Sequence, residues 1–264
     1  MTVKDVTERL RVSGVINAGQ ESLWLLSYAL GMTNAEILAR AEFSREESRR
    51  IDEIISRRVK GEPLQYILGE ADFYGRDFHV GDGVLIPRHD TETLIEGVKR
   101  IFPNDETFCF ADWGTGSGCL AVTILLEFPK SKGQMIEISP DALRYARDNA
   151  SRYGVDDRLC VSGTFDLIVS NPPYIPTSEI NGLMREVRDF EPITALDGGD
   201  DGMKFYREVM TFAERTLKRG GYVILEMGSL SQVEEVGKLS DEFFVDGKIF
   251  DDGNFPRCLI LRRF

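Results

Sequence analysis

The sequence has few of the side chains that bind metals or build disulfide frameworks. Its 264 residues include 2 histidines and 4 cysteines. The cysteines are scattered, with no C-x-x-C pair among them. This scarcity and spacing argue against a zinc site and against disulfide bonds, so we expect no metal. Unpaired cysteines are typical of a reducing compartment, and we expect a cytoplasmic protein.

The sequence also lacks a long apolar run and an excess of positive charge. No stretch of about 18 apolar residues occurs, and residues 1–6 contain no apolar signal core, so we expect no membrane partner. The net charge of −12 disfavours a protein that grips the phosphate backbone of nucleic acids. The length suffices for one α/β domain and a smaller second one.

Two common nucleotide-binding signatures are missing, although a glycine loop is present. Residues 108–112 predict a buried strand, the loop 113–118 follows, and the apolar run 120–126 predicts a helix. Cys119 stands where the dinucleotide pattern G-x-G-x-x-G needs its last glycine, and no Gly-Lys-Ser/Thr follows. The loop still predicts a ligand cradle, because glycines permit close backbone approach and helix N–H groups bind polar atoms.

An acidic residue follows in the next predicted strand. Glu137 lies in the strand-like segment 134–138, about twenty positions after the loop, where a carboxylate receives ribose hydroxyls in nucleotide-binding folds. The alternative is a solvated charge at a strand end. Ser139 and Pro140 then predict the start of a helix, with serine as its N-cap.

A rigid turn follows the strand-like run 165–170. In Asn171-Pro172-Pro173-Tyr174 the prolines fix their own φ and keep the preceding residues extended. Such a turn can hold a planar nitrogen whose N–H groups bind the Asn171 side-chain oxygen and the Pro172 carbonyl, while Tyr174 offers a face for stacking. The alternative is an ordinary turn. The glycine loop upstream favours the functional interpretation.

Several of these segments resemble a known class of enzymes. Residues 112–118, Glu137 with the following Ile-Ser-Pro, and residues 171–174 are similar to class I S-adenosylmethionine-dependent methyltransferases that act on planar nitrogens. Further segments resemble the PrmC (HemK) family, the release-factor glutamine N5-methyltransferases. They are residues 61–70, 73–75, 85–92, 190–192, 195–196 and 198–202.

This resemblance implies an α/β fold with a Rossmann-like seven-stranded sheet. It implies methyl transfer from S-adenosylmethionine to the glutamine side-chain nitrogen in the Gly-Gly-Gln motif of class 1 peptide chain release factors. No enzyme nucleophile is required, because the sulfonium is a good leaving group. The implied cofactor-binding residues are Gly114, Thr115, Gly116, Ser117, Gly118, Glu137 and Asn171. The implied substrate-binding residues are Asn171, Pro172, Pro173 and Tyr174. Of these, the resemblance assigns Asn171, Pro172 and Tyr174 to catalysis.

We expect three regions in a monomeric protein. Residues 1–72 predict a helical domain, whose charged faces are either solvated or a docking surface for the protein substrate. Residues 73–87 predict a β-hairpin linker, and residues 88–264 the methyltransferase domain. At the junction, Asp90 or Thr91 is expected to cap the helix that follows.

The sequence departs from the family at three places. His89 replaces a usual proline, and Trp113 replaces a small aliphatic residue. About ten residues that the family carries before Thr164 are missing, including an acidic and an aromatic residue that flank the adenine. Either a mobile loop is absent from the numbering or the cofactor pocket lacks one wall. We favour the first, because parallel strands need a long crossover.

Two other functions remain open at this point. An adenine N6-methyltransferase could use the same turn after base flipping, but it would need a basic groove and a target-reading module. A non-catalytic adaptor that has lost its cofactor is favoured only by the short connection before Thr164.

Overall fold

The computed structural model describes all 264 residues, which form two compact units. One unit comprises residues 1–70 and 184–190, and the other comprises residues 71–183 and 191–264. None of the helices combines the length and apolarity that crossing a membrane requires.

The first unit is helical. Its core is formed by apolar side chains at helical spacing, such as Leu10, Leu26, Ile51 and Ile55. The helices are α1 (Val3–Val12), α2 (Ala18–Leu30), α3 (Asn34–Leu38), α4 (Arg45–Val59) and α5 (Leu64–Leu68).

Three of these helices begin with the same local device. Thr2, Thr33 and Ser44 each accept a hydrogen bond from the third helical residue, whose carboxylate binds the cap backbone in return. These capping boxes satisfy amide groups that would otherwise lack partners and so define where α1, α3 and α4 start.

A segment from much later in the chain completes the helical unit. The short helix of residues 185–190 belongs to this unit rather than to the one that precedes it in sequence. The buried Arg58 side chain donates to Glu21 Oε2 at 2.6 Å and to Glu186 Oε1 at 2.8 Å. Arg58 therefore has two carboxylate partners, one of them supplied by the late segment.

A hairpin opens the second unit. Its strands are β1 (Glu70–Phe73) and β2 (Arg76–His79), joined at Tyr74 and Gly75, which both have positive φ. A two-residue loop of this kind matches the twist of the strands. The structure thus places the hairpin at residues 70–79, earlier than the linker predicted at 73–87.

A six-stranded sheet forms the centre of the second unit, in the order β4-β3-β5-β6-β8-β7. The first four strands of that order are parallel, and β8 and β7 form an antiparallel edge. After the hairpin, the elements in chain order are α6 (Glu92–Ile101), β3 (Cys109–Trp113), α7 (Cys119–Glu127), β4 (Lys132–Ile136), α8 (Pro140–Arg152), β5 (Phe165–Ser170), α9 (Arg185–Phe190), α10 (Lys204–Thr216), β6 (Leu217–Glu226), α11 (Leu230–Val236), β7 (Phe243–Ile249) and β8 (Cys258–Arg263). Of these, α9 is the short helix that belongs to the helical unit.

Two apolar cores cover the faces of this sheet. Phe110 of β3 packs with α6 and α7 in one core, and its neighbour Ala111 packs with α10 in the other. Successive strand residues point to opposite faces, so a strand buried on both sides reads as a continuous apolar run. The α/β fold with a Rossmann-like sheet that the resemblance implies is confirmed.

The seventh strand position holds a single parallel bridge, between Leu159 and Gly133. After it the chain crosses the N-terminal ends of the strands, where Ser162 N donates to Gln134 Oε1 and Cys109 N donates to Asp166 Oδ2. No strand extends far enough to need a crossover, and residues 159–164 connect directly to β5.

Candidate active site

A cavity of about 550 Å³ lies where the parallel strands end. Strands β3, β4 and β5 deliver to it Gly114 and Gly116, Glu137, and Asn171 with Pro173. In open α/β sheets, ligands bind in the crevice outside the carboxyl ends of the strands. The glycine loop and the proline turn, which the sequence predicted as two halves of one site, therefore meet in one cavity.

The glycine loop holds its conformation through φ angles that disfavour other residues. Gly114 and Gly116 have φ of +74° and +55°, and a Cβ at either position would meet no atom within 4 Å. Gly118 has φ +80°, and a Cβ there would lie 3.0 Å from the Ala146 backbone. Gly114 and Gly116 thus leave free space beside the cavity, whereas Gly118 permits α7 to pack on α8.

The other predicted loop residues do not line the cavity. The side chains of Thr115 and Ser117 are buried. Thr115 Oγ1 donates to Asp112 Oδ2 at 2.5 Å, and the Ser117 carbonyl accepts from Asn149 Nδ2 at 2.9 Å. These contacts hold the loop and give it its shape.

Asp112 is a fully buried carboxylate beneath the loop. Its Oδ2 also accepts from Ala121 N in the first turn of α7, while Oδ1 has no hydrogen-bond partner. Burial raises the pKa of Asp112 from 3.8 to about 7, although the bonds from Thr115 and Ala121 oppose the rise. The folded protein therefore binds a proton at Asp112 more tightly than the unfolded chain does.

This raised pKa predicts a pH-dependent stability difference. As pH rises from 3.8 towards 7, the unfolded chain releases the Asp112 proton first, so the stabilising contribution of protonated Asp112 is progressively lost. Asp112→Asn mimics the neutral side chain and does not titrate. The unfolding free energy of this variant minus that of wild type should therefore be larger at about pH 8 than at about pH 5. Denaturant titrations at the two pH values measure this gain. The exposed Asp105→Asn is the control, and an equal gain in both variants would contradict the assignment.

Glu137 lines the cavity as predicted for a ribose-binding carboxylate. Its Oε2 accepts from Gly116 N at 2.9 Å, and Oε1 accepts from Ile138 N and Ser139 N at 2.8 and 2.9 Å. Three of the four lone-pair positions are thus occupied by backbone amides. To receive two hydroxyl groups, the carboxylate must turn away from at least one of these amides.

Asn171 and its turn lie at the end of β5. Asn171 lines the cavity, and its Nδ2 donates to Thr91 Oγ1 at 3.0 Å. Pro173 also lines the cavity, while Pro172 is buried and does not. With Nδ2 bound to Thr91, the side-chain oxygen of Asn171 remains available to accept a hydrogen bond.

Tyr174 lies outside the cavity lining. Its hydroxyl donates to Glu226 Oε1 at 3.1 Å, and its backbone carbonyl accepts from Gln232 Nε2 at 2.8 Å. The Tyr174 ring packs directly on Gly228, since a Cβ added to Gly228 would lie 2.4 Å from the ring. This position does not support the stacking role predicted for Tyr174. The aromatic rings in the cavity wall belong to Trp113 and Phe205, 6.0 Å apart.

Two residues beside the turn, Thr91 and Glu226, were not predicted as part of the site. Thr91 donates from Oγ1 to Glu226 Oε2 at 2.5 Å, and Glu226 is 1% exposed. Thr91 makes no capping bond to α6, and Asp90 forms an ion pair with Arg257 at 3.2 Å, so the predicted capping role is wrong for both. A charged residue ending the apolar run of β6 was the signal that could have revealed Glu226.

Another part of the cavity wall comes from chain beyond the turn. It is formed mainly by apolar and polar side chains of residues 192–195, together with Lys204 and Glu208. Glu191 directly precedes residues 192–195, and its buried carboxylate accepts a hydrogen bond from Arg88 Nη2 at 2.5 Å. This ion pair holds the segment in place. None of residues 159–164 contributes to the wall, so the adenine-flanking residues expected from the family have no counterpart there.

The sheet order, the glycine loop and the acidic strand end define a class I methyltransferase, a class that uses S-adenosylmethionine as methyl donor. The open glycine backbone and the Glu137 carboxylate fit a nucleoside ligand. Residues 2–69 match the PrmC N-terminal domain, and residues 91–186 match the methyltransferase small domain. The chain belongs to the release factor glutamine methyltransferase family.

Similar proteins extend over most of the chain. The release factor glutamine methyltransferase of Geobacter sulfurreducens is 41% identical over 256 residues, covering 93% of this chain and 89% of that protein. That of Koribacter versatilis is 42% identical over 250 residues, covering 90% and 89%. A methyltransferase structure from Pyrococcus furiosus has a TM-score of 0.54 at 20% identity, covering 80% of this chain and 98% of that one, and supports the fold.

Proposed function

We propose that this chain methylates the glutamine side-chain nitrogen in the Gly-Gly-Gln motif of class 1 peptide chain release factors, with S-adenosylmethionine as donor. The observation that carries the proposal is the single cavity in which Asn171 and Pro173 meet the glycine loop and Glu137. A planar amide held by the turn would lie beside a nucleoside ligand held by the loop. The relatives' names support the choice of substrate.

In this proposal the turn acts by positioning. The Asn171 side-chain oxygen and the Pro172 carbonyl accept hydrogen bonds from the two N–H groups of the glutamine amide. The bound cofactor supplies an activated methyl group on a sulfonium. An amide nitrogen is a weak nucleophile, so orientation and proximity are the main contributions that the protein makes to the rate. After the transfer the methylated amide nitrogen is cationic, and the one proton that it loses passes to water.

The proposed cofactor contacts follow from the cavity. Gly114, Gly116 and Glu137 would contact the nucleoside, and Asn171 would lie next to it. Thr115, Ser117 and Gly118 act indirectly, because their contacts hold the loop and the start of α7. Tyr174 likewise supports the turn through its bonds to Glu226 and Gln232.

We further propose that the helical region, residues 1–72, docks the release factor. Nearly all of this region, residues 2–69, matches the PrmC N-terminal domain. With a net charge of −12, the chain is suited to meeting a protein rather than nucleic acid. In this proposal the enzyme works as a monomer in the cytoplasm, where its substrate functions in translation termination.

A labelling assay tests the substrate. The protein is incubated with methyl-labelled S-adenosylmethionine and either an intact class 1 release factor or a variant with Gly-Gly-Ala in place of Gly-Gly-Gln. We expect label on the intact factor and a loss of at least about 10²-fold on the variant, which lacks the acceptor nitrogen. Equal labelling of both would refute the proposal.

Two further arms separate the alternatives. In the first arm, duplex DNA replaces the release factor. Transfer of the methyl label to this DNA would indicate an adenine N6-methyltransferase. Calorimetry with S-adenosylhomocysteine tests the adaptor, because a chain that has lost its cofactor site should show no binding.

A further inference from the structure

We propose that Glu226, acting through Thr91, sets which end of the Asn171 carboxamide faces the cavity. The inference rests on the proposed role of Asn171 in holding the glutamine. Neither Glu226 nor Thr91 lines the cavity, so both are positioning residues. The three side chains form a continuous chain of hydrogen bonds, 2.5 Å from Thr91 to Glu226 and 3.0 Å from Asn171 to Thr91.

The direction of this chain follows from counting protons. A carboxylate only accepts, so a charged Glu226 must receive the single hydroxyl proton of Thr91. The Thr91 oxygen then has only lone pairs to offer its next neighbour. Asn171 must therefore present its NH2 group to Thr91, and its oxygen is left for the cavity. Only this orientation lets Asn171 accept a hydrogen bond from the substrate NH2 group.

A protonated Glu226 would remove this constraint. The acid could then donate to Thr91, and the Thr91 hydroxyl could in turn donate to the Asn171 oxygen. The carboxamide would turn its NH2 group to the cavity, where it would face the NH2 group of the glutamine, donor against donor. The reversed orientation therefore cannot hold the substrate amide.

The surroundings of Glu226 place this change near neutral pH. Burial raises the pKa of Glu226 to about 7, and nearby Asp90 raises it as well, whereas Thr91, Tyr174 and Arg257 lower it. Tyr206 is bound to the Glu226 backbone carbonyl at 2.8 Å and does not reach the carboxylate. The thiols of Cys119 and Cys258 also face this region, and burial raises the pKa of both. Among these groups, Glu226 is the one expected to gain a proton just below neutrality.

The first test compares two substitutions of Thr91. Thr91→Val keeps the shape and removes the hydroxyl, whereas Thr91→Ser keeps the hydroxyl. We expect Thr91→Val to lower kcat on a release factor by at least about tenfold, with little change in cofactor affinity, and Thr91→Ser to restore most of it. Equal kcat in the two variants, with wild-type melting temperatures, would overturn the proposal.

The second test uses the pH profile of kcat. Wild type should gain activity as pH rises through about 7, because the active form carries the Glu226 charge. In Glu226→Gln the side chain cannot titrate, so this rise should disappear, whether the carboxamide settles in the active or the reversed orientation. A Glu226→Gln enzyme that keeps the wild-type rise would refute the role of Glu226.

A double-mutant comparison distinguishes this inference from the proposed clamp, by which we mean the hold of the Asn171 side-chain oxygen and the Pro172 carbonyl on the glutamine amide. If Thr91 acts through Asn171, Thr91→Val should cost nothing further in an Asn171→Ala background. If the losses of kcat from Thr91→Val and Asn171→Ala add fully, Thr91 does not act through Asn171, and the proposal is overturned while the clamp stands. Wild-type kcat in Asn171→Ala alone would instead refute the clamp. Calorimetric binding of S-adenosylhomocysteine confirms in each variant that the cofactor site is folded.

Discussion

Asn171→Ala is expected to lower turnover on a release factor by a factor on the order of 10² or more while cofactor affinity changes by less than about tenfold. The alanine removes the oxygen that would hold the glutamine N–H, so the amide loses its orientation. The fold should tolerate the change, because the Asn171 side chain is only partly buried and makes one hydrogen bond, to Thr91. Single-turnover kinetics and calorimetry with S-adenosylhomocysteine measure the two effects.

The exposed Asn104→Ala serves as the matched control, since it removes the same carboxamide away from the cavity. It should leave both turnover and affinity at wild-type values. Turnover that is unchanged in Asn171→Ala would rule out the clamp, and a parallel collapse of cofactor binding would assign Asn171 to the cofactor instead.

Gly118→Ala is expected to destabilise the protein by about 3 kcal/mol and to lower cofactor affinity by at least about tenfold. The added methyl group meets two obstacles, a φ of +80° and the Ala146 backbone 3.0 Å away. Relief of the contact requires α7 and α8 to separate, and α7 begins directly after the loop. Thermal unfolding and calorimetry report the two losses.

Gly154 offers a matched control for this substitution. It has φ +63°, in the same left-handed region, but a Cβ there would meet nothing within 4 Å. Gly154→Ala should therefore cost only about 1 kcal/mol, the price of the backbone conformation, and leave cofactor affinity unchanged. If both variants lose the same stability, the packing explanation for Gly118 is wrong.

Most of the fold could be predicted, because its strands and helices differ in hydrophobic pattern. The strands predicted at residues 108–112, 134–138 and 165–170, with helices predicted between them, correspond to the parallel strands β3, β4 and β5. The hairpin was placed too late, since Gly81 and Gly83 looked as much like turn residues as Gly75 did. The seventh strand was expected from resemblance to the family, and residues 159–161 form one bridge instead.

The site was predictable where it consists of local motifs. The glycine loop, Glu137 and Asn171 were found because each occupies a short pattern with a chemical meaning. Gly114 and Gly116 of the loop line the cavity together with Glu137 and Asn171. The partners of Asn171 were not found. Thr91 and Glu226 are 135 positions apart, and the local pattern around Thr91 suggested a helix cap. Hydrogen bonds across such a distance have no sequence signature in a single chain.

The two carboxylate partners of Arg58 bear on how the protein is made. Glu21 precedes Arg58 in the chain, but Glu186 follows it by 128 positions. During synthesis from the N-terminus, the helical unit must wait for residues 184–190 before its buried guanidinium has both partners. An expression fragment that stops near residue 70 would therefore keep the pair between Arg58 and Glu21 but lose the second carboxylate, and fusing residues 184–190 to its end is the direct way to restore that carboxylate.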